Sequence, residues 1–334
     1  MQGEKRQRAG ALIELPAVLR DLGVDPSAVF AGTGIDPASL RAETRVPFDA
    51  LLQLLDRAAR QTGCPHLGLL IGLRFNFAMH GAIGELMLTA PSLGQALIDL
   101  VSWHPGYSSG AIVYLNRFDQ DYASGYGSFA ASKPGGWILY DAVVSIGVKM
   151  VRELTEDAVK PVEVQLSHRP PETATTYERL LKVPVRFNQN RNCIVLTAEA
   201  LRTPLPRHDP EARKRILADI EKTAFVEPTN VSTLTRRALR QVLCFEKPTL
   251  SATASHMGLH PRTLERRLAE EGQPFRALRD EVCFAVACEL LELTDIPIGD
   301  ISAVLGFAAP SVLTTMFRRI SGKSPSEWRA RVAS

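Results

Sequence analysis

The chain has 334 residues and a formal net charge of +3, and 45% of its residues are hydrophobic. This composition is typical of globular proteins, and the length allows two domains that each bury a core. No apolar run reaches the roughly 18 residues of a membrane helix, and the basic N-terminal segment lacks the apolar core of a signal peptide. Five scattered cysteines without C-x-x-C spacing favour a reducing compartment. We therefore expect a cytoplasmic protein without a membrane segment.

The net positive charge is concentrated at one end of the chain. Residues 231–334 contain 14 of the 39 Lys and Arg residues and 11 of the 36 Asp and Glu residues, which leaves 25 of each kind elsewhere. The whole excess of +3 therefore lies in the C-terminal third. A localised basic excess favours a nucleic-acid partner.

The first 205 residues predict an α+β domain, with helices first and a small mixed sheet after them. Apolar residues at helical spacing alternate with short runs rich in β-branched and aromatic residues. The predicted helices are Pro47–Thr62, Ser92–Trp103, Trp137–Leu154 and Thr173–Leu181. The predicted strands are Ala111–Leu115, Tyr122–Phe129 and Val162–Ser167, followed by a hairpin of Val185–Asn188 with Cys193–Thr197.

Residues 206–229 form a predicted linker. This segment starts with several prolines and contains a charged helix over Glu211–Lys222. Asn230 follows Pro228 and Thr229 and has the side chain of a helix N-cap, so a new domain is expected to begin there.

The C-terminal third, residues 230–334, contains a near-duplication. Met257-Gly258-Leu259 is matched by Leu305-Gly306-Phe307, and Arg279 is matched by Arg329 at a slightly larger offset. In each copy a glycine marks a turn, and His260-Pro261 or Pro310 opens the helix that follows. In the first copy, Thr249 or Ser251 is the predicted N-cap of the helix before the turn. Phe275–Leu293 has the spacing of a long amphipathic helix between the copies. The sequence predicts two helix-turn-helix units in an all-α domain.

The second helix of each unit is the candidate for reading DNA. Such a helix lies in the major groove, where Arg can bond guanine bidentately and Glu can accept from cytosine. Basic residues near the end of the helix are better placed for phosphates. The outward residues are Arg262, Thr263, Glu265, Arg266 and Arg267 in the first copy and Ser311, Thr314, Thr315, Arg318 and Arg319 in the second.

These residues resemble a known family. The run from Ala252 to Leu268 and the signature Gly-Phe, Phe-Arg-Arg, Gly-x-Ser-Pro and Arg between Gly306 and Arg329 are similar to the AraC/XylS family of bacterial transcription regulators. Segments within 45–205 also resemble the arabinose-binding-like effector domain of one branch. The resemblance implies two rigidly joined units that read successive major grooves.

The resemblance further implies base-reading roles for particular residues. They are Arg262, Glu265 and Arg266 in the first copy and Pro310, Ser311, Thr314 and Thr315 in the second. Thr315 stands where the family usually has Arg, Cys283 where it has a basic residue, and His260 where it has a Ser cap. We therefore expect the first copy to supply most of the sequence discrimination.

The predicted function is a sequence-specific DNA-binding regulator whose N-terminal domain, residues 1–205, senses a small molecule or mediates dimerisation. The expected partners are double-stranded DNA, a small-molecule effector, RNA polymerase and a second copy of the chain, and no cofactor or metal is expected. No charge pattern selects an amino acid, a sugar or a fatty acid as the effector. Aromatic and histidine side chains suited to a pocket cluster near the change from helix to sheet. They are Trp103, His104, Tyr107, Tyr126 and Trp137.

Two other functions remain open at this point. Gly106 to Gly110 match the G-x-S-x-G pattern of hydrolases with Ser108 as nucleophile, but a helix is predicted before the serine and a strand after it, the reverse of the required order. A helical protein-interaction adaptor would carry the same arginines on a solvated face. The duplication and the localised charge favour DNA binding over both.

Overall fold

The computed structural model describes residues 5–41, 44–104, 108, 110–118, 120–128, 133–172, 174–224 and 230–333. Helices dominate at both ends of this chain, and a small sheet lies between them. The N-terminal helices are α1 (Leu15–Asp21), α2 (Pro26–Phe30), α3 (Phe48–Thr62), α4 (Leu67–Leu73), α5 (Ala82–Leu88), α6 (Leu93–Trp103), α7 (Gly136–Leu154), α8 (Ala174–Leu181), α9 (Ala198–Arg202) and α10 (Pro210–Ala224), with short 3₁₀ helices at Gly10–Glu14 and Phe77–His80.

The C-terminal part is helical throughout its described residues. Its helices are α11 (Val231–Val242), α12 (Leu250–His256), α13 (Pro261–Glu270), α14 (Phe275–Leu293), α15 (Ile298–Val304), α16 (Pro310–Ser321) and α17 (Pro325–Ala333). The predicted fold class, an α+β domain followed by an all-α domain with two helix-turn-helix units, is confirmed. Among the described residues, no helix combines the length and the apolarity needed to cross a membrane.

The strands are β1 (Arg6–Arg8), β2 (Arg45–Pro47), β3 (Ala111–Phe118), β4 (Asp121–Ser128), β5 (Glu163–Gln165), β6 (Val185–Arg186) and β7 (Cys193–Thr197). β1 and β2 form an antiparallel pair, and the other five form a sheet in the order β3-β4-β7-β5-β6. The predicted hairpin of β6 with β7 is wrong. The helix α8 carries the chain across to make β6 parallel to β5, and β5 itself lies between β6 and β7.

Side-chain caps begin several helices where the sequence predicted them. The Ser92 hydroxyl accepts a hydrogen bond from the Gln95 amide, and Asn230 Oδ1 accepts one from the Thr233 amide at 2.9 Å. Of the two candidates for α12, Thr249 is the cap, since its Oγ1 accepts from the Ala252 amide at 3.1 Å. These bonds satisfy amide groups that the first helical turn leaves without a partner.

The sheet has a different hydrophobic core on each face. Leu115, Tyr126 and Ile194 belong to the core of the N-terminal helices. Tyr114 and Cys193, on the opposite face, belong to the core of the C-terminal helices. Because side chains alternate along a strand, neighbouring residues of this sheet contact the two halves of the molecule.

Candidate functional site

The first helix-turn-helix unit consists of α12, a turn at Gly258 and α13. Gly258 has φ = +64°, a conformation that favours glycine. Pro261 is the first residue of α13, and His260 caps this helix by accepting a hydrogen bond from the Arg262 amide at Nδ1 (3.3 Å). The histidine therefore fills the place of the Ser cap.

The packing of α13 determines which of its residues reach solvent. Leu264 and Leu268 are fully buried against the C-terminal core. The three side chains between them reach solvent, because Leu264 and Leu268 are one turn apart and only their shared face is turned to the core. Thr263 is half-buried, and the exposed predicted residues are Arg262, Glu265, Arg266 and Arg267.

The second unit repeats this arrangement with α15, a turn at Gly306 (φ = +75°) and α16. Leu313 and Phe317 are fully buried. Thr314 and Thr315 donate their hydroxyl hydrogens to the carbonyls one turn earlier, each at 2.9 Å. Thr314 is half-buried, and the exposed predicted residues are Pro310, Ser311, Thr315, Arg318 and Arg319.

Arg319 has a partner that the sequence did not indicate. Its guanidinium donates to Asp280 on α14, which also accepts from Arg279 at 2.8 Å. Burial alone would raise the pKa of Asp280, but the hydrogen bonds from the two arginines lower it, so the carboxylate stays charged. Arg319 thereby holds α16 to α14.

The long helix α14 fixes the two units relative to one another. Phe284 contacts Phe317 of the second unit, with ring centroids 4.7 Å apart, and it also contacts Trp328 of α17 at 6.1 Å. The Arg329 guanidinium donates to the carbonyl oxygens of Leu291 and Ile296 and so closes the C-terminal end of α14. Leu264 and Leu268 of α13 and Leu313 and Phe317 of α16 belong to the same core as α14, so both helices are held by it.

A cavity of about 140 Å³ lies in the N-terminal domain between the sheet and helices α3, α4, α6 and α7. Most of its lining is aliphatic. Tyr126 on β4 lines it and contacts His104 edge-on, with ring centroids 6.1 Å apart. The buried hydroxyl of Tyr126 and the buried Oε1 of Gln7 have no hydrogen-bond partner among the described residues.

Two buried histidines also line the cavity. Burial lowers the pKa of His104 to about 4, and burial together with the nearby His104 and Arg8 lowers the pKa of His80 to about 3. Both rings are therefore neutral at pH 7. The cavity walls consist of neutral groups, apart from Arg8, which interacts with another group of the protein.

The predicted effector residues are divided between different places. His104 and Tyr126 line the cavity. Trp103 lies beneath the guanidinium of Arg237, 4.4 Å from it, and Trp137 contacts His168 at 5.9 Å. Tyr107 lies outside the described residues. Gln7 and His80 were missed because they are far from this cluster in the sequence and reach the cavity only through the fold.

The sheet joins this cavity to the C-terminal domain. The opposite face of β4 lies so close to α14 that a Cβ on Gly127 would be 2.5 Å from the Leu293 carbonyl oxygen. Arg191, which precedes β7, bonds Asp300 of α15 at 3.1 Å and covers the ring of Phe118 at 3.7 Å. One layer of backbone therefore separates the cavity from the helices of the second domain.

The helix α10 is attached to the N-terminal domain. The Arg213 guanidinium makes two hydrogen bonds, at 2.6 and 2.8 Å, to the carboxylate of Asp99 on α6. Burial raises the pKa of Asp99, while Arg213 and Gln95 act in the opposite direction. This pair, largely shielded from solvent, fastens the start of the inter-domain segment.

Comparison with known proteins agrees with this geometry. Residues 23–205, more than half of the chain, match the family model described as the arabinose-binding domain of AraC transcription regulators, and residues 253–331 match a helix-turn-helix domain. The chain belongs to the AraC family of transcription regulators. The predicted family and the predicted function as a DNA-binding transcriptional regulator are confirmed.

Relatives align over nearly the whole length. The ornithine utilization regulator of Pseudomonas aeruginosa is 27% identical over 96% of this chain and 94% of its own length. The regulator VirS of Mycobacterium tuberculosis is 22% identical over 94% and 93%. The crystal structure of the regulator CdpR from Pseudomonas aeruginosa superposes with a TM-score of 0.51 at 18% identity, covering 96% of this chain and 98% of CdpR, and shows the shared fold.

The alternative functions are not favoured. The named relatives are transcription regulators. Ser108 is buried between α6 and β3, and its Oγ accepts a hydrogen bond from the Gly110 amide at 3.2 Å. A helix precedes this serine and a strand follows it, whereas a hydrolase elbow has the opposite order. The described residues contain no group of three or more His, Cys, Asp and Glu side chains suited to a metal ion.

Proposed function

We propose that this regulator reads DNA mainly through α13 and that a small molecule in the N-terminal cavity controls that reading. The observation that supports the first part is the exposed row of Arg262, Glu265 and Arg266, which have side chains able to distinguish base pairs. On α16, Thr315 is short and donates its hydrogen to its own helix, so it has less capacity to discriminate bases.

The cavity supports the second part of the proposal. A mostly aliphatic cavity with a few polar groups is the usual form of a small-molecule site. An occupant that moves β4 would also move the surface on which α14 packs, because the backbones of Gly127 and Leu293 are in close contact. A ligand that binds the two domain arrangements with different affinity would thereby shift the population that binds DNA.

The proposed organisation is an effector domain over 1–205, a connecting segment over 206–229 and a DNA-binding domain over 230–334. In this division α10 belongs to the connecting segment but is held to the effector domain by Arg213. We further propose a second copy of the chain and RNA polymerase as protein partners, action in the cytoplasm, and no catalytic activity. Sedimentation of the full chain with and without DNA tests the dimer.

The experiment for the coupling has two steps. A thermal-shift screen of metabolites on the full chain identifies compounds that raise its melting temperature. The affinity for a DNA site selected from random sequences is then measured with and without each such compound. We expect at least one stabilising compound to change the DNA dissociation constant. Stabilising compounds that all leave it unchanged would contradict the coupling.

A further inference from the structure

We propose that the cavity accepts an uncharged, largely apolar molecule about the size of one six-membered ring, carrying a single hydroxyl group. This proposal rests on the cavity being the effector site proposed above, and it specifies the class of ligand. Its basis is the size of the cavity, the charge of its walls and the groups in it that lack hydrogen-bond partners.

The size limits the ligand to a few non-hydrogen atoms. The cavity measures about 140 Å³. An engineered protein cavity of about 150 Å³ with aliphatic and aromatic walls binds benzene. A substituted benzene or a cyclohexane ring is therefore of the right size, whereas a long acyl chain or a disaccharide is too large.

The charge of the walls disfavours ionised ligands. None of the described residues that line the cavity is Asp or Glu, so a ligand ammonium group would have no counter-charge. His80 and His104 are neutral at pH 7, since burial lowers the pKa of both. Arg8 is the one cationic side chain among these lining residues, and it is already engaged with another group of the protein. A ligand carboxylate would have to compete with that group for Arg8.

The unpartnered groups select a hydroxyl. Tyr126 is 4% exposed, and its hydroxyl has a hydrogen to donate but no acceptor among the described residues. The Oε1 of Gln7, on β1, also lines the cavity and has no donor among the described residues. A buried polar group without a partner is costly, so a ligand that supplies one is favoured. A hydroxyl group both accepts and donates, and therefore suits either atom.

The binding test uses four probes on the full chain at pH 7: phenol, toluene, benzoate and 1,4-diaminobutane. Calorimetry measures each dissociation constant. We expect phenol to bind at least tenfold more tightly than benzoate or the diamine, with toluene between them. Tighter binding of either charged probe, or no binding of phenol, would overturn the proposal.

Two variants test the hydrogen bond and the location. Tyr126→Phe should weaken the binding of phenol about two- to tenfold, the range expected for one hydrogen bond, and leave the binding of toluene unchanged. The control Tyr122→Phe changes a tyrosine of the same strand that does not line the cavity, and it should affect neither probe. Val113→Phe adds a ring that fills the cavity from β3, and it should weaken the binding of both phenol and toluene. Equal effects of the two tyrosine variants, or no effect of Val113→Phe, would contradict the assignment.

The DNA measurement separates this inference from the coupling that it rests on. If phenol binds as described but leaves DNA affinity unchanged, the ligand class stands and the coupling fails. If a compound of another class changes DNA affinity while phenol does not bind, the coupling stands and the ligand class is wrong.

Discussion

At the scale of single residues, α13 and α16 differ in the side chains they expose. The exposed residues of α13 include three arginines and two glutamates, of which Glu270 lies 3.4 Å from Arg266. Those of α16 include Ser311, Thr315 and two arginines, of which Arg319 is bound to Asp280. Arginine can make paired hydrogen bonds to guanine, whereas a threonine of α16 has already donated its hydrogen. We therefore expect α13 to contribute more than α16 to the recognition of the DNA sequence.

Replacing Arg266 tests this asymmetry. Arg266→Ala should weaken binding to the selected site by about 1–3 kcal/mol and relax the preference at one base pair, because a bidentate base contact is lost. Fluorescence anisotropy with matched and mutated sites measures both effects. Arg276→Ala, an exposed arginine of α14, is the control and should have little effect. A larger loss from Thr315→Ala would contradict the ranking.

The buried pair of His168 and Asp141 predicts a pH dependence of stability. His168 Nε2 lies 2.9 Å from Asp141 Oδ1, and Tyr177 donates to the other carboxylate oxygen at 2.6 Å. Burial lowers the pKa of His168, but the hydrogen bond and charge of Asp141 outweigh it and raise the pKa above 6.5.

A histidine with a raised folded pKa stabilises fully below its unfolded pKa, and this stabilisation is lost as the pH rises through the folded pKa. We therefore expect the free energy of unfolding to fall as the pH rises above about 6.5. Urea denaturation measures it, and His168→Gln should reduce this decline. A decline of the same size in the variant would show that other groups cause it.

At the scale of elements, local signals predicted most helices, while pairing between strands was not predictable. The starts of three helices were predictable because the side chain of the capping residue accepts a hydrogen bond from the amide only three residues later. These caps are Ser92, Asn230 and Thr249. The hairpin of β6 and β7 was predicted wrongly because strand pairing depends on residues that are distant in the sequence. The strand that separates them, β5, lies some 20 residues earlier in the chain, and no local pattern shows its insertion.

The close approach of β4 and α14 predicts the effect of one methyl group. Gly127→Ala would place a Cβ 2.5 Å from the Leu293 carbonyl oxygen, so β4 and α14 must shift away from one another. We expect a larger radius of gyration in small-angle X-ray scattering. Gly299→Ala, where a Cβ meets nothing within 4 Å, is the matched control. Identical scattering from both variants would show that the interface tolerates the methyl group.

The attachment of α10 predicts a large loss of stability from a single charge deletion. Arg213→Ala leaves the Asp99 carboxylate buried without its cation, and losing one partner of such a pair costs about 3–5 kcal/mol. Urea denaturation measures the loss. The exposed Arg215→Ala on the same helix should change the stability by less than about 0.5 kcal/mol. Comparable effects of the two variants would contradict a structural role for the pair.

At the scale of the whole molecule, the duplicated unit was predictable and the cavity was not. The turns at Gly258 and Gly306 and the buried Leu264 and Leu313 leave a repeating signature in the sequence. The cavity is assembled from β1, β4 and helices far apart in the chain, so only His104 and Tyr126 of its lining were among the predicted effector residues. Arg319 and Asp280 are likewise 39 residues apart, and no periodic signal links them.

The charge distribution constrains how the whole molecule binds DNA. The excess of +3 lies in residues 231–334, and several of its arginines are held in ion pairs, among them Arg236 with Glu281 and Arg240 with Glu289. Few cations therefore remain for phosphates. Base contacts must contribute a substantial part of specific affinity, beside an electrostatic part that depends on salt.

The salt dependence of DNA binding by the full chain tests the central claim most directly. The association constant for the selected site is measured from 50 to 300 mM salt for the native chain and for Arg318→Ala. We predict a logarithmic plot that falls linearly with salt, and a slope about one unit shallower in the variant, because a phosphate contact is lost. Affinity that does not change with salt, or no DNA binding at low salt, would contradict the account.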